Sequence, residues 1–127
     1  MLALDTDVMI DIRRALPAAV AWFGQLTESP CLPGFVVMEL VQGVKNKAEL
    51  AELQNLISDS QVLWPTEEHS QKALNNFATL QLSYGLGLLD APIAATVVGH
   101  NGTLCTFNLK HFRMVPGLAT SQPYDRC

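Results

Sequence analysis

The sequence predicts an α/β fold, a short and mostly parallel sheet flanked by helices. Two observations carry this. Short apolar runs, several of them bounded by Asp or Pro, alternate along the 127 residues with longer stretches of helical periodicity. That alternation is the pattern of strands joined through helical crossovers. The composition, 49% hydrophobic with only 16% charged residues, supplies the core that such a sheet needs and fits one domain over residues 1–127.

Leu2-Ala3-Leu4 reads as a central strand, apolar throughout and ended by Asp5. Residues 8–14 read as a short helix stopped by Pro17, and residues 18–26 as a second helix with Val20, Trp22 and Phe23 on its inner side. Cys31-Leu32, fenced by Pro30 and Pro33, is the second strand. Residues 34–44 are helical, with Val36, Leu40 and Gly43 on one stripe. Residues 48–57 form another helix, with Leu50, Leu53, Leu56 and Ile57 at helical spacing. Gln61-Val62-Leu63 is a third strand, ending at Trp64-Pro65. The longest helix covers residues 67–84; Ala73, Phe77 and Leu80 mark its core stripe, Leu74 and Ala78 lie beside it, and Gly85 and Gly87 break it. Asp90 opens the next helix as its N-cap with Pro92 in the first turn, and His100-Asn101-Gly102 closes it. Residues 103–106 are a fourth strand, residues 107–113 a loop or short helix, and Met114-Val115 a last edge strand. The tail from about residue 121 is expected to be frayed.

No apolar stretch reaches the roughly 18 residues of a membrane helix, and no secretory signal opens the chain. Cys31, Cys105 and Cys127 lack zinc spacing and read as reduced thiols, so the expected location is cytoplasmic. The net charge of −4 argues against a module that binds nucleic acid by bare electrostatics. It leaves room for a nuclease whose acids hold cations, because bound cations reverse the local sign of the charge. His69, His100 and His111 are scattered, with no partner at zinc spacing. There is no glycine-rich phosphate loop and no nucleophile elbow.

With so few charges, acids in apolar surroundings stand out. Parallel sheets bind ligands beyond the carboxyl ends of their strands, and Asp5 and Asp7 follow the first strand directly. Asp5 also suits the N-cap of the helix after it, and Asp7 suits the first turn for the helix dipole alone. Asp11, three residues from Arg14, reads as a paired or solvated surface acid. Glu39 lies in Phe35-Val36-Val37-Met38-Glu39-Leu40-Val41. A helix this apolar should bury most of its circumference, where an ionised carboxylate is costly unless paired or bound to a cation. Asp90, between Leu88-Leu89 and Ala91-Pro92-Ile93, can cap its helix and hold a metal at once. Asn108 suits an Asx-turn after the fourth strand, and Thr106 a strand end.

Asp5-Thr6-Asp7-Val8 matches the D-x-D-x-[TV] pattern of the haloacid-dehalogenase-type phosphatases, in which Asp5 would be the nucleophile and Asp7 the acid/base. That scheme wants two acids after a later strand. Here Asn108 and Lys110 stand there, and Glu39 has no task. A response-regulator receiver wants its acceptor Asp at the end of a middle strand, where Leu63-Trp64-Pro65 stands. A third pattern uses all the isolated acids together: Leu4-Asp5-Thr6 at the first strand, Met38-Glu39-Leu40-Val41-Gln42-Gly43 on a helix, Leu88 to Ala95 opening a helix around Asp90, and Thr106-Phe107-Asn108-Leu109-Lys110-His111-Phe112 after a strand. This set, in this order, resembles the PIN-domain ribonucleases, and within them the VapC toxins of prokaryotic toxin–antitoxin pairs. The likeness runs from Leu2 to about Leu118.

The resemblance implies a three-layer α/β sandwich with an acidic pocket. Asp5, Glu39 and Asp90 would bind Mg²⁺ or Mn²⁺, Asn108 would hold the family's fourth position, and Asp7 would be an accessory ligand or a cap. Thr6 and Thr106 would be supporting polar residues. Lys110 and Arg113, with Lys45 and Lys47, could meet flanking phosphates. The implied function is an endoribonuclease toxin that hydrolyses RNA with metal-activated water and is inhibited by a cognate antitoxin. A homodimer is implied as well, with Trp22, Phe23 and Trp64 as surface candidates. A PIN-like module that binds partners without cutting is the non-enzymatic alternative. The RNA target and the number of metals stay open at this level.

Overall fold

The computed structural model describes residues 1–126, so the expected thiol of Cys127 lies outside the described residues. Leu2–Leu4 forms β1, and Ala3 and Leu4 are fully buried there. The other strands are β2 (Cys31–Pro33), β3 (Gln61–Leu63), β4 (Thr103–Cys105) and β5 (Ala119–Ser121). They build one five-stranded sheet in the order β3-β2-β1-β4-β5, and every neighbouring pair is parallel. Parallel neighbours need crossovers, which the helices supply. The helices are α1 (Thr6–Arg13), α2 (Pro17–Gly24), α3 (Gly34–Gln42), α4 (Lys47–Ile57), α5 (Glu67–Tyr84), α6 (Asp90–Gly99) and the short α7 (Leu109–Phe112). From β1 the chain builds outward through β2 and β3, then returns to lay β4 on the opposite side of β1. That reversal opens a crevice at the carboxyl ends of β1 and β4. Leu4, Leu32, Val36, Ile93, Val97, Leu104 and Phe112 fill the core around the sheet.

Several local expectations shift. Helix α1 starts at Thr6, two residues early, because Asp5 caps it and accepts from the Thr6 N–H at 2.8 Å. Pro17 does not stop α1. Ala15 turns the chain in the left-handed region (φ 57°), and Pro17 then opens α2, where its missing N–H costs nothing. The buried residue of α2 is Ala19; Val20 faces solvent, and Trp22 and Phe23 pack at the edge of the core. Helix α3 is not buried around its circumference, since Met38 is 55% exposed and Val41 is exposed as well. On α4, Leu56 is exposed and Leu53 buried, whereas on α5 Leu74 and Ala78 flank the core stripe as expected. Asn46 caps α4, and a capping box between Thr66 and His69 starts α5, whose end is set by Gly85 at φ 72°. Helix α6 begins at Asp90, with Leu89 in the cap position, so Asp90 is its first residue rather than its cap.

The last strand is also displaced. Met114-Val115 is not a strand; Val115 turns back on Phe112 and joins the core, and Gly117 (φ 76°) redirects the chain. Residues 119–121 then pair in parallel with β4. A parallel return needs a longer path than the single residue, Arg113, between α7 and Met114 allows. The tail expected to fray instead folds over α1, where Tyr124 and Arg126 both bond Asp11. Among the described residues no helix is long and apolar enough to cross a membrane.

Candidate active site

Strands β1 and β4 pair with Leu4 opposite Cys105, so the next residues, Asp5 and Thr106, emerge side by side. The Asp5 N–H continues the ladder to the Cys105 carbonyl at 3.0 Å. Its carboxylate is held at both oxygens: the Thr106 hydroxyl donates at 2.7 Å and the Thr6 N–H at 2.8 Å. Only 6% of Asp5 is exposed. Burial pushes its carboxyl up to about 7, the charges of Asp7 and then Asp90 add to the rise, and the bonds from Thr106 and Thr6 offset part of it. An acid in this setting is half-protonated near neutrality until positive charge arrives.

Asp7 lies in the first turn of α1 and ties that helix to the end of β4. It accepts from the Val8 N–H at 2.8 Å and from the Phe107 N–H at 2.9 Å. Burial raises its pKa as well, and those two bonds with the nearby Arg126 oppose the rise. With both oxygens engaged, Asp7 is poorly set up for the acid/base work of the phosphatase scheme.

Glu39 reaches the same place from α3, half-buried rather than in the core, and accepts from the Thr6 hydroxyl at 2.9 Å. Asp90 comes from the first turn of α6. Its Oδ2 accepts from the Gly87 N–H at 2.8 Å, and His111 Nδ1 lies 3.6 Å away. Asn108 follows β4; its N–H donates to the Thr106 hydroxyl at 2.9 Å and its amide meets His111 Nδ1 at 2.9 Å. The Thr106 hydroxyl therefore receives from Asn108 and gives to Asp5, which fixes its direction.

Asp5, Thr6, Asp7, Glu39, Asp90 and Asn108 line one cleft of about 430 Å³. Thr106 lies beneath it, fully buried. Lys110 and Arg113 do not line it; they border a neighbouring hollow with Tyr84 and His111. Lys45 borders another hollow with Arg13 and Arg14, which shares Glu39 and Ile10 with the cleft. The carboxylates surround the cleft without closing on one point: among the described residues no three His, Cys, Asp or Glu side chains are gathered tightly enough to hold a metal ion as they stand.

Sequence reasoning missed two residues that line this cleft, Phe107 and Arg126. His111, which beside Lys110 could face a substrate, bridges Asn108 and Asp90. Asp11, expected to be a paired or solvated surface acid, is paired, and its partner is Arg126 at 2.9 Å. The only hint in the sequence was an aromatic and a cation, Tyr124 and Arg126, close together in a tail that otherwise looked featureless.

The PIN-domain family model matches residues 2–118. The chain is 32% identical over 124 residues to Ribonuclease VapC19 of Mycobacterium tuberculosis, spanning 93% of this chain and 97% of that protein. Similar solved structures include the DNA-bound VapBC of Salmonella typhimurium, with TM-score 0.80, 25% identity and coverage of 99% of this chain and 98% of that one. A toxin–antitoxin complex from Klebsiella pneumoniae follows, with TM-score 0.79, 23% identity and coverage of 98% and 99%. The motif order, the parallel sheet with its acidic crevice, and these matches agree that the chain belongs to the PIN-domain family and is a relative of the VapC proteins within it.

Proposed function

We propose that this protein is a divalent-metal-dependent endoribonuclease of the VapC toxin type, hydrolysing RNA phosphodiesters and held inactive by a cognate antitoxin. The observation that carries this is Asp5: a buried carboxyl raised to about 7 by burial and by the charges of Asp7 and Asp90, in a cleft also lined by Glu39. The name of the 32%-identical relative, a ribonuclease, supports the activity. The similar structures, several of them toxin–antitoxin complexes, support the partner.

The residues fit a hard cation. Every candidate ligand is a carboxylate or amide oxygen, the donor set of Mg²⁺ or Mn²⁺. Burial, and then the like charges of Asp7 and Asp90, raise Asp5, and a cation would offset both. Asp5, Glu39 and Asp90 are the proposed ligands, with Asp7 as an accessory. Bound there, the cation would lower the pKa of water and offset charge on the phosphate.

The remaining steps belong to the chain's own groups. Thr106 and the Thr6 N–H orient Asp5, the Thr6 hydroxyl orients Glu39, and the Gly87 N–H orients Asp90. Such fixed donors set the geometry of the acids before substrate arrives. Asn108, a neutral side chain linked to His111, is assigned to orient the reacting phosphate or water. Lys110 and Arg113, outside the cleft beside Tyr84, are assigned to the RNA strand as it leaves. A homodimer and a cytoplasmic location complete the reading.

The deciding experiment maps cleavage of total cellular RNA by the purified protein. Cuts at discrete sites are expected with Mg²⁺ and none with a chelator. Asp5→Asn and Asp90→Asn should each abolish them while the circular dichroism spectrum is kept. Cleavage that persists in chelator removes the metal mechanism, and RNA binding without any cleavage favours the non-catalytic module. Growth arrest on expression, relieved by a small neighbouring gene, tests the toxin assignment separately.

A further inference from the structure

We propose that Arg126, in the C-terminal segment, is a substrate-binding residue of the acidic cleft: its guanidinium holds a phosphate of the RNA strand as the strand crosses the carboxylates. The proposal rests on the nuclease reading.

After β5 the chain returns across α1. Tyr124 leads, its hydroxyl donating to Asp11 Oδ2 at 2.8 Å and its ring packed against Phe107 and Trp22, with centroids 4.9 and 5.8 Å apart. Two residues later Arg126 donates from Nε to the same Asp11 oxygen at 2.9 Å. Its guanidinium carbon lies 4.0 Å from the centroid of Phe107, and Nη2 stands 3.5 Å from the Asp7 carbonyl. The group is thus held by a carboxylate on one edge and an aromatic ring on one face, and it still lines the cleft with Asp5, Asp7, Glu39 and Asp90. It is the only basic side chain that does so among the described residues.

Three physical points favour a phosphate over a purely internal role. Nη1 has no partner among the described residues, and the side chain is 44% exposed. A guanidinium already fixed by stacking and by an ion pair loses little freedom on binding, and its planar N–H edge matches phosphate oxygens. An RNA backbone approaching four carboxylates meets repulsion that one fixed cation at the wall offsets. Tail anchoring alone does not need the arginine, because Tyr124 already ties the segment to Asp11.

The test compares Arg126→Ala, Arg126→Lys, Asp11→Asn and Tyr124→Phe, using a short fluorescent single-stranded RNA of mixed sequence with Mg²⁺. Steady-state cleavage and fluorescence polarisation are followed across a salt series. For Arg126→Ala the expectation is a KM raised about tenfold with kcat little changed. The slope of log affinity against log salt should fall by about 0.7, the value of one lost phosphate contact on a single strand. Arg126→Lys should keep the slope and recover part of the affinity. Asp11→Asn and Tyr124→Phe should keep the wild-type slope. If wild type cleaves while Arg126→Ala retains both KM and slope, or if Asp11→Asn and Tyr124→Phe, which loosen the tail but keep its arginine, lower the salt slope as much as Arg126→Ala does, Arg126 is a tail anchor and the inference falls alone. If wild type neither binds nor cleaves the RNA, the nuclease reading falls and takes this inference with it.

Discussion

The Thr106 hydroxyl donates to the Asp5 carboxylate at 2.7 Å across 101 positions of sequence, and it receives the Asn108 N–H at 2.9 Å in the same fully buried spot. One hydroxyl therefore joins the end of β1 to the end of β4 and sets which way Asp5 points.

Thr106→Val keeps the shape and removes the hydroxyl. Asp5 then loses its side-chain donor and the Asn108 N–H its acceptor, at a cost of about 1–3 kcal/mol. Urea unfolding measures that cost, and calorimetric titration with Mn²⁺ should show weaker binding. Thr106→Ser should restore most of both. Unchanged stability in the valine variant would show that the hydroxyl does not carry this link.

The metal-free protein should lose stability as pH rises from about 4 to about 7. Folded Asp5 keeps its proton to about 7, whereas its ordinary value is 3.8. Between those values the folded chain holds a proton that the unfolded chain has released, so unfolding becomes easier with each step up in pH. The contribution is intact below 3.8 and gone above about 7. Asp5→Asn removes the buried charge, so at pH 8 without metal it should melt higher than wild type, and at pH 4 it should not. Metal affinity should run the other way, rising with pH and levelling near 7, because a cation must displace that proton.

Gly87→Ala should impair activity more than folding. A Cβ at Gly87 would come 2.8 Å from Asp90 Oδ2, the oxygen that its own N–H holds. Gly87 is not in a left-handed conformation, so alanine brings no backbone strain and the clash falls on the carboxylate. The expected outcome is a kcat lowered at least about tenfold with a melting temperature within a few degrees of wild type. Equal kcat would show that Asp90 has room to move.

Tyr124→Phe should cost about 1 kcal/mol and loosen the end of the chain. The lost bond runs to Asp11; burial, and then this bond and the Asp11 charge, push the Tyr124 hydroxyl well above its usual pKa. Hydrogen exchange in α1 and β5 should speed up in the variant, and protection equal to wild type would count against the tail as a structural strap.

Legible in the chain alone are the order of the first four strands and their helices, the long α5, and the acids that do not belong in apolar surroundings. These are local properties: periodicity, capping residues and the solvation cost of a lone charge all show in a window of a few residues. The family likeness is legible there as well, because motif order is a property of the chain. Element edges were less legible. Pro17 reads as a stop in the sequence and serves as a start, and Met114-Val115 has the composition of a strand but turns into the core, since both depend on where neighbouring strands leave room. Only the tertiary structure decided which groups face which. Asp5 meets Thr106 because β1 and β4 lie side by side, Asp11 finds its partner in Arg126 of the returning tail, and that tail lies against the cleft. Hydrogen bonds and ion pairs between residues about a hundred positions apart leave no periodic trace in the sequence. They exist only once sheet register has brought distant strand ends and the returning tail to the same few ångströms.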